Sequence, residues 1–272
     1  MRSKLAWLLL CLMMALSQRG AAEEPVRLYA AGSLRAAMTD VARAFTAQYG
    51  VPVETTFGAS GLLRERIERG ESADVFASAD MQHPRTLMQA GKGGPVPVFI
   101  RNRLCVLAQP SVSMTTETVL ETLLRPDIRL GTSTPQADPS GDYAWALFQL
   151  AERLRPGSYQ VLDAKALKLT GGPQAPQPPP GRSPYAWLVE TKQADVFLTY
   201  CTNAMDTARE VAGLQVVQLP PALAIGAEYG LSVLNRDKRA AWQLAVFILA
   251  PEGQELLTQH GFLSSALPSQ GP

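Results

Sequence analysis

Residues 26–80 read VRLYAAGSLRAAMTDVARAFTAQYGVPVETTFGASGLLRERIERGESADVFASAD. Three short runs in this stretch, VRLYA, VPVETTF and ADVFASAD, have the composition of strands. Between them lie amphipathic runs whose apolar residues recur at the spacing of a helix face, and glycines follow where these runs end. Repeated strand–helix units of this kind predict an α/β fold with a doubly wound sheet.

Two serines lie at strand–helix junctions of this stretch. Ser33 follows the first strand in AAGSL, and Ser60 follows the second in FGASG. The first turn of a helix has unpaired backbone N–H groups and a positive partial charge, so a hydroxyl there completes an anion site. Serine is also an ordinary helix cap, and capping explains either residue taken singly. Two such junctions in successive units would lie along one sheet edge, where α/β proteins bind ligands.

The rest of the chain is predicted to form a second domain and then return to the first. A long β-rich run over residues 93–109 is typical of a crossing between domains, and an extended run over 224–235 crosses back. We therefore predict that residues 23–103 and 224–272 form domain I and that residues 104–223 form domain II. Two α/β domains joined by two extended crossings make a two-strand hinge with a cleft between them.

Domain II offers a third junction of the same kind and a tyrosine. Ser140 lies where a helix begins in DPSGDYAW, and Tyr200 ends the strand in DVFLTY. Ser140 is equally well explained as a plain cap. Neutral donors and helix ends can hold a small, fully ionised oxyanion, provided that each buried oxygen is hydrogen-bonded. These loops show no obvious acceptor for a proton carried by the ligand.

The N-terminal segment has the pattern of a secretion signal. An apolar run over residues 5–16 follows two basic residues and precedes Gly-Ala-Ala, which offers a cleavage site near Ala22. The run is shorter than the ~20 residues of a membrane-spanning helix, which disfavours an uncleaved anchor. We therefore predict that residues 1–22 are removed on export. The mature chain would carry a net charge of about −2, and without a basic run it is a poor partner for nucleic acid.

Two cysteines, Cys105 and Cys201, remain after such cleavage. In an exported protein a pair of this kind can form a disulfide. Both cysteines lie in strand-like runs, so two buried free thiols are an equally sound interpretation. The sequence leaves both states open.

Catalytic patterns are scarce in this sequence. His83 and His260 are its two histidines; both lie near Pro or Gly, and we predict that both are surface residues. The sequence lacks G-x-S-x-G, Walker A and G-x-G-x-x-G motifs, so we predict neither an enzyme nor a cofactor. A hydrolase using Ser60 or Ser33 is the alternative, and it requires a histidine close to one of these serines. A structural or sensory domain with a vestigial cleft is a third possibility.

Five segments in order, AAGSL, FGASG, ADVFASAD, DPSGDYAW and DVFLTY, resemble the periplasmic molybdate-binding proteins of ABC importers. The resemblance extends over residues 26–262. It implies a two-lobed type II periplasmic binding protein fold that closes on one tetrahedral oxyanion. It also implies a periplasmic monomer that binds molybdate or tungstate, has no further cofactor, and delivers the ion to a membrane permease.

The same resemblance implies a set of ligand-binding residues. The two serines of the family that follow its first two strands correspond to Ser33 and Ser60, and its tyrosine hydroxyl corresponds to Tyr200. Its backbone N–H donor in the second lobe corresponds to Ser140. Molybdenum would be held, as molybdate, through these residues.

A fifth ligand position departs from the family pattern. Where the family commonly offers the backbone N–H of an apolar residue, this chain has Arg182. A guanidinium pointing into the cleft would favour a different oxyanion or a small organic anion. If the side chain points outward, the backbone N–H of Arg182 or Ser183 can still serve molybdate.

Overall fold

The computed structural model describes residues 23–180 and 182–265, so the predicted signal peptide lies outside the described residues. The strands are β1 (Val26–Ala31), β2 (Val53–Gly58), β3 (Val75–Ser78), β4 (Val98–Ala108), β5 (Leu130–Ser133), β6 (Leu167–Thr170), β7 (Val196–Tyr200), β8 (Gln215–Gln218), β9 (Gly226–Val233) and β10 (Leu263–Ser264). The helices are α1 (Arg35–Tyr49), α2 (Ser60–Glu68), α3 (Gln82–Gln89), α4 (Val119–Leu124), α5 (Pro139–Leu154), α6 (Ser158–Lys165), α7 (Pro184–Glu190), α8 (Cys201–Glu210), α9 (Arg239–Leu249) and α10 (Pro251–Gln259). Single 3-10 turns occupy Gly32–Leu34 and Pro221–Leu223.

The first lobe is built on the strand order β2-β1-β3-β9-β4. β1 pairs in parallel with β2 and β3, whereas β9 is antiparallel to β3 and β4. All four residues of β3 are buried, which explains the nearly continuous apolar run ADVFASAD, since a strand covered on both faces has no polar side. The main core of this lobe packs α1, α9 and α10 against the sheet.

The second lobe continues the sheet in the order β4-β7-β5-β6, with β8 also paired to β4. β5 is parallel to β6 and β7. The core of the second lobe includes apolar residues of α5. α5 begins with a well-formed cap, because the Asp138 side chain accepts the N–H of Ser140 and Pro139 occupies the first helical position.

Strand β4 belongs to both lobes. Its first part pairs with β9, and its last five residues pair with β7. Nearby, the Leu104 N–H donates to the Ile225 carbonyl at 3.2 Å, where the chain returns from the second lobe. The predicted α/β, two-lobed periplasmic binding protein fold is therefore confirmed, while the domain boundaries at 103/104 and 223/224 stay predictions. Within the described part of the chain, no helix has both the length and the apolarity to cross a membrane.

One element differs from what the local sequence predicts. The Pro- and Gly-rich composition of residues 165–182 predicts a loop, but Leu167–Thr170 forms β6 at the edge of the second lobe. β6 pairs with β5, and Thr170 is joined to Ser133 by a 2.6 Å hydroxyl hydrogen bond, so tertiary pairing outweighs a weak local preference.

Cys105 and Cys201 form a disulfide, which resolves the two states that the sequence left open. The bridge joins β4, the strand shared by the lobes, to the first residue of α8. Tyr200 immediately precedes Cys201, so the bridge anchors the backbone next to a predicted ligand-binding residue.

Candidate ligand-binding cleft

A cavity of about 320 Å³ lies between the two lobes. Backbone and side-chain groups of both lobes face it. The first lobe contributes Ala31, Gly32, Ser33, Arg35, Gly58, Ala59, Ser60, Leu62 and Ala79, and the second contributes Asp138, Thr170, Gly171, Gly172, Ala175, Pro176, Gln177, Pro178, Pro184, Tyr185, Tyr200 and Asn203. The turns that carry Ser33 and Ser60 thus face the end of β7 and the proline-rich segment around Pro176 and Pro178 across the cavity.

Ser33 is positioned by the hinge strands. Its Oγ lies 2.9 Å from the hydroxyl of Tyr229 on β9, and Asn102 on β4 donates to the same tyrosine oxygen at 3.3 Å. Asn102 also donates to Thr202 at 2.9 Å. Burial raises the pKa of Tyr229, so its hydroxyl stays neutral and can donate to or accept from Ser33. Groups on both strands therefore hold a predicted ligand-binding serine.

Ser60 is the first residue of α2 and is 1% exposed. Its Oγ accepts the backbone N–H of Ala79 at 3.1 Å, just beyond the end of β3. This bond uses a lone pair of the oxygen and leaves the hydroxyl hydrogen able to donate to a ligand. The helix start adds its own unpaired N–H groups and positive partial charge.

Tyr200 ends β7 and faces the cavity from the second lobe. Its hydroxyl donates to the carbonyl oxygen of Ala79 in the first lobe at 3.4 Å. Its ring packs against Tyr229 and Tyr143, with ring centroids 5.5 and 6.2 Å away. Burial raises the pKa of Tyr200 well above its ordinary value, which keeps the hydroxyl neutral and able to donate. Ser33, Ser60 and Tyr200 thus line the same cavity, and their role in binding a ligand stays a prediction.

Ser140 differs from these three residues. It is fully buried and does not line the cavity. Its backbone N–H donates to Asp138 Oδ1 at 3.1 Å, so the N–H expected to bind a ligand already has a partner. Its Oγ has no hydrogen-bond partner among the described residues. As a ligand-binding residue, Ser140 stays a prediction.

Asp138, the partner of Ser140, is a cavity residue that the sequence prediction missed. It is half-buried, and burial raises the pKa of its carboxyl to about 6, helped by the negative charges of Asp142 and Asp80. The expectation that these loops lack an acceptor is wrong, because this carboxylate is one. Its sequence signal was the Asp-Pro pair before a helix, a pattern of an N-cap followed by its first helical residue.

Arg35 was also missed, and it brings a positive charge to the cavity. This exposed residue begins α1 directly after the Ser33 turn. Its guanidinium carbon lies 4.8 Å from the centre of the Phe57 ring, so the side chain is held over an aromatic face. A cation beside the helix starts raises the electrostatic attraction of the cavity for anions.

Arg182 lies outside the cavity lining. Its guanidinium pairs with Glu190 and with Glu210, the latter at 3.3 Å between Nε and Oε1, and its side chain is 41% exposed. Ser183 caps α7 by accepting the N–H of Ala186 at 3.4 Å. Both residues line a neighbouring groove instead. The charge of Arg182 is thus compensated by two carboxylates of the second lobe.

The two lobes are in direct contact beside the cavity. The backbone N–H of Gly61 in α2 donates to the carbonyl of Ala137 at 2.9 Å. A Cβ at Gly61 would lie 2.4 Å from the Gln136 carbonyl oxygen, so only glycine permits this approach. With the contact between Tyr200 and Ala79, this hydrogen bond defines a closed arrangement of the lobes.

Each histidine lies near a carboxylate. His83 is only 7% exposed, so the prediction that it is a surface residue is wrong; burial lowers its pKa, and its Nε2 lies 3.9 Å from Asp80. His260 Nε2 lies 2.9 Å from Asp40. In residues 23–180 and 182–265, the hydrogen-bond partners of Ser33 and Ser60 include no histidine, and no group of three or more His, Cys, Asp or Glu could hold a metal ion.

Two lobes that share a strand, with a cavity between them, have the architecture of a solute-binding protein. Residues 26–263 match the model of the bacterial extracellular solute-binding protein family, and the chain belongs to that family. Its members are transport proteins of the ABC importer type rather than enzymes, and their extracellular location agrees with the predicted export.

Similar proteins extend over most of the chain. A protein of unassigned function from Pasteurella multocida (strain Pm70) is 38% identical over 240 residues, 88% of this chain and 98% of that protein. The molybdate-binding protein ModA of Mycobacterium bovis is 27% identical over 240 residues, 86% of this chain and 83% of ModA. The structure of the sulfate-binding protein SubI from Mycobacterium tuberculosis H37Rv has a TM-score of 0.75 at 20% identity, covering 90% of this chain and 88% of SubI, which is a likeness of fold alone.

Proposed function

We propose that this protein captures a small oxyanion, molybdate or tungstate, in the cleft and delivers it as a periplasmic monomer to the permease of an ABC importer. The observation that carries the proposal is the convergence of Ser33 and Ser60 of the first lobe with Tyr200 of the second on one cavity. The 27% identity to a molybdate-binding protein over most of the chain supports the choice of ion.

The chemistry of the donors suits a dianion. Ser33 and Ser60 stand at the starts of helical segments, where backbone N–H groups add donors and the helix ends add positive partial charge. Arg35 contributes a full positive charge at the same end of the cavity. These groups replace the water around the ion without requiring Arg182.

Binding stabilises the closed arrangement because the donors belong to different lobes. An ion that touches Ser60 and Tyr200 together can do so only when the lobes are close, so it favours that state over an open one. Rotation about a hinge that contains β4 would open the cleft for release.

Calorimetric titration of the purified protein with molybdate, tungstate, sulfate and phosphate tests the proposal. We expect saturable binding of molybdate and tungstate at one site, with at least a tenfold loss of affinity in Ser33→Ala and Ser60→Ala. Ser111→Ala is the matched control, because Ser111 is exposed and does not line the cavity. Absence of binding by both molybdate and tungstate would refute the choice of ion.

A further inference from the structure

We infer that the cleft contains a second compartment, beside the oxyanion donors, that accepts a hydroxyl-bearing organic group. The ligands would then include oxyanion esters, such as phosphorylated polyols or hydroxy acids, in addition to bare ions. The inference rests on the proposed function, because the ester would place its oxyanion at Ser33, Ser60 and Tyr200. The second compartment is formed by the acceptor wall, defined as Asp138, Gln177 and Asn203.

The size of the cavity is the first argument. The lobes already touch through Gly61 and Ala137, and through Tyr200 and Ala79, so the volume of about 320 Å³ is that of a closed cleft. This volume equals about ten liquid water molecules at ~30 Å³ each, whereas a five-atom oxyanion displaces roughly two or three. Pockets for organic ligands begin at ~300 Å³. A bare ion at the serines would leave room in this space, part of which is open to solvent.

The hydrogen-bonding chemistry of the acceptor wall is the second argument. The Asn203 amide donates to Tyr185 and to Thr199, each at 3.2 Å, which uses both amide hydrogens and leaves Oδ1 to accept. Gln177 donates one amide hydrogen to the Ala175 carbonyl at 3.0 Å, and its Oε1 can accept. A fully ionised oxyanion has no hydrogen to offer these oxygens.

Hydroxyl groups supply what the acceptor wall requires. A hydroxyl donates one hydrogen and accepts others, so it can pair with an amide oxygen or with the Asp138 carboxylate. A dianion placed against Asp138 would be repelled, because the two charges have the same sign. The donors Ser33, Ser60 and Tyr200 and the acceptor wall therefore suit different parts of one ligand, an oxyanion joined to a polyol.

The backbone of the segment that carries Gln177 is constrained by close contacts and by prolines. Two glycines allow it to turn, since a Cβ at Gly171 would lie 2.3 Å from Asp138 Cβ and a Cβ at Gly172 would lie 2.5 Å from Thr134 Oγ1. Prolines on both sides of Gln177 restrict the backbone and lower the entropy lost on binding. A bare ion bound at the serines has no evident need for such a segment.

Calorimetry with matched probes tests the second compartment. Inorganic phosphate is compared with glycerol 3-phosphate, 3-phosphoglycerate and glucose 6-phosphate, and molybdate is titrated in parallel. We expect at least one ester to bind tenfold or more tightly than phosphate. If no ester binds tenfold more tightly than phosphate, the inference is overturned, and the proposed function stands provided that molybdate or tungstate binds. If an ester binds that tightly and neither molybdate nor tungstate binds, the inference stands and the choice of ion falls; if no probe binds, both fall.

Variants of the acceptor wall separate its role from that of the donors. We expect Gln177→Ala and Asn203→Leu to weaken ester binding by about tenfold and to change the affinity for molybdate or phosphate less than twofold. Gln174→Ala is the control, because it lies in the same exposed segment and does not line the cavity. Equal losses for the ester and for the inorganic ion would show that the acceptor wall acts only on the fold, and would overturn the inference.

Discussion

Replacement of Gly61 by alanine tests whether the contact between the lobes belongs to the bound state. The added Cβ would lie 2.4 Å from the Gln136 carbonyl oxygen and 2.7 Å from that of Ala137. Non-bonded carbon contacts favour ~3.5 Å or more, so the lobes would have to separate by roughly 1 Å. In the ligand-free protein an opening of the hinge relieves this clash, whereas the closed state cannot avoid it.

The cost of Gly61→Ala can be estimated from the bonds that it disturbs. The hydrogen bond from Gly61 to Ala137 is lost, at ~1 kcal/mol. A shift of 1 Å also weakens one or two ligand bonds that span the lobes, at a further ~1 kcal/mol each. A total of about 2–3 kcal/mol corresponds to a rise in Kd of roughly 30- to 150-fold. Alanine is the better helix former by up to ~1 kcal/mol, so the Tm of the free protein should stay unchanged or rise slightly.

Calorimetry measures the Kd for the tightest of the four oxyanions, and thermal denaturation measures the Tm of the free protein. Gly226→Ala is the control, because a Cβ there meets nothing within 4 Å and the residue does not have a positive φ. If Gly61→Ala binds as tightly as the control, the contact with Ala137 does not belong to the bound state, and the reasoning fails.

Three further predictions concern the hinge, the buried carboxyl and the disulfide. Tyr229→Phe removes the partner of the Ser33 hydroxyl. One hydrogen bond contributes ~1 kcal/mol, so Kd should rise by about threefold to tenfold with little change in fold. An unchanged Kd would exclude a role of Tyr229 in positioning Ser33. Because the pKa of Asp138 is raised to about 6, its carboxylate is neutralised as the pH falls through 6, and the affinity for a dianion should rise at least threefold between pH 8 and pH 5. Asp138→Asn keeps the helix cap and should flatten this pH dependence. A pH profile that is unchanged in this variant would contradict the assignment. Cys105 and Cys201 are 96 residues apart, and a disulfide that closes such a loop contributes up to ~4–5 kcal/mol to the free energy of unfolding. Reduction of the disulfide should therefore lower Tm by about 10 °C. A Cys105→Ser/Cys201→Ser variant should melt at that lower temperature without reductant.

The sequence predicts those parts of the fold that depend on local patterns. β1 to β3 and their helices follow from apolar runs and from glycines at the ends of helices, and the positions of Ser33 and Ser60 follow from the same turns. Parallel strands place such turns at one sheet edge, which is why two residues 27 positions apart can be predicted to share a cavity. Tyr200 could be added because of its position at a strand end and its resemblance to a family pattern.

The remaining site residues depend on long-range packing that local patterns do not encode. Tyr229 contacts Ser33 across 196 residues of sequence, and no periodicity links them. Asn203 on α8 and Gln177 in the proline-rich segment line the same cavity, although no local pattern links them. Asp138 had a readable signal, the Asp-Pro cap, but its exposure to the cavity depends on the approach of the two lobes.

The disulfide has a consequence for where the protein can work. Thiols of a newly made chain stay reduced in the bacterial cytoplasm, and oxidation occurs after translocation. Until Cys201 is tied to β4, the neighbouring tyrosine lacks its covalent anchor, and we expect nascent molecules to hold ligand weakly. If the chain is exported as predicted, its affinity for ligand would therefore reach its full value only after export.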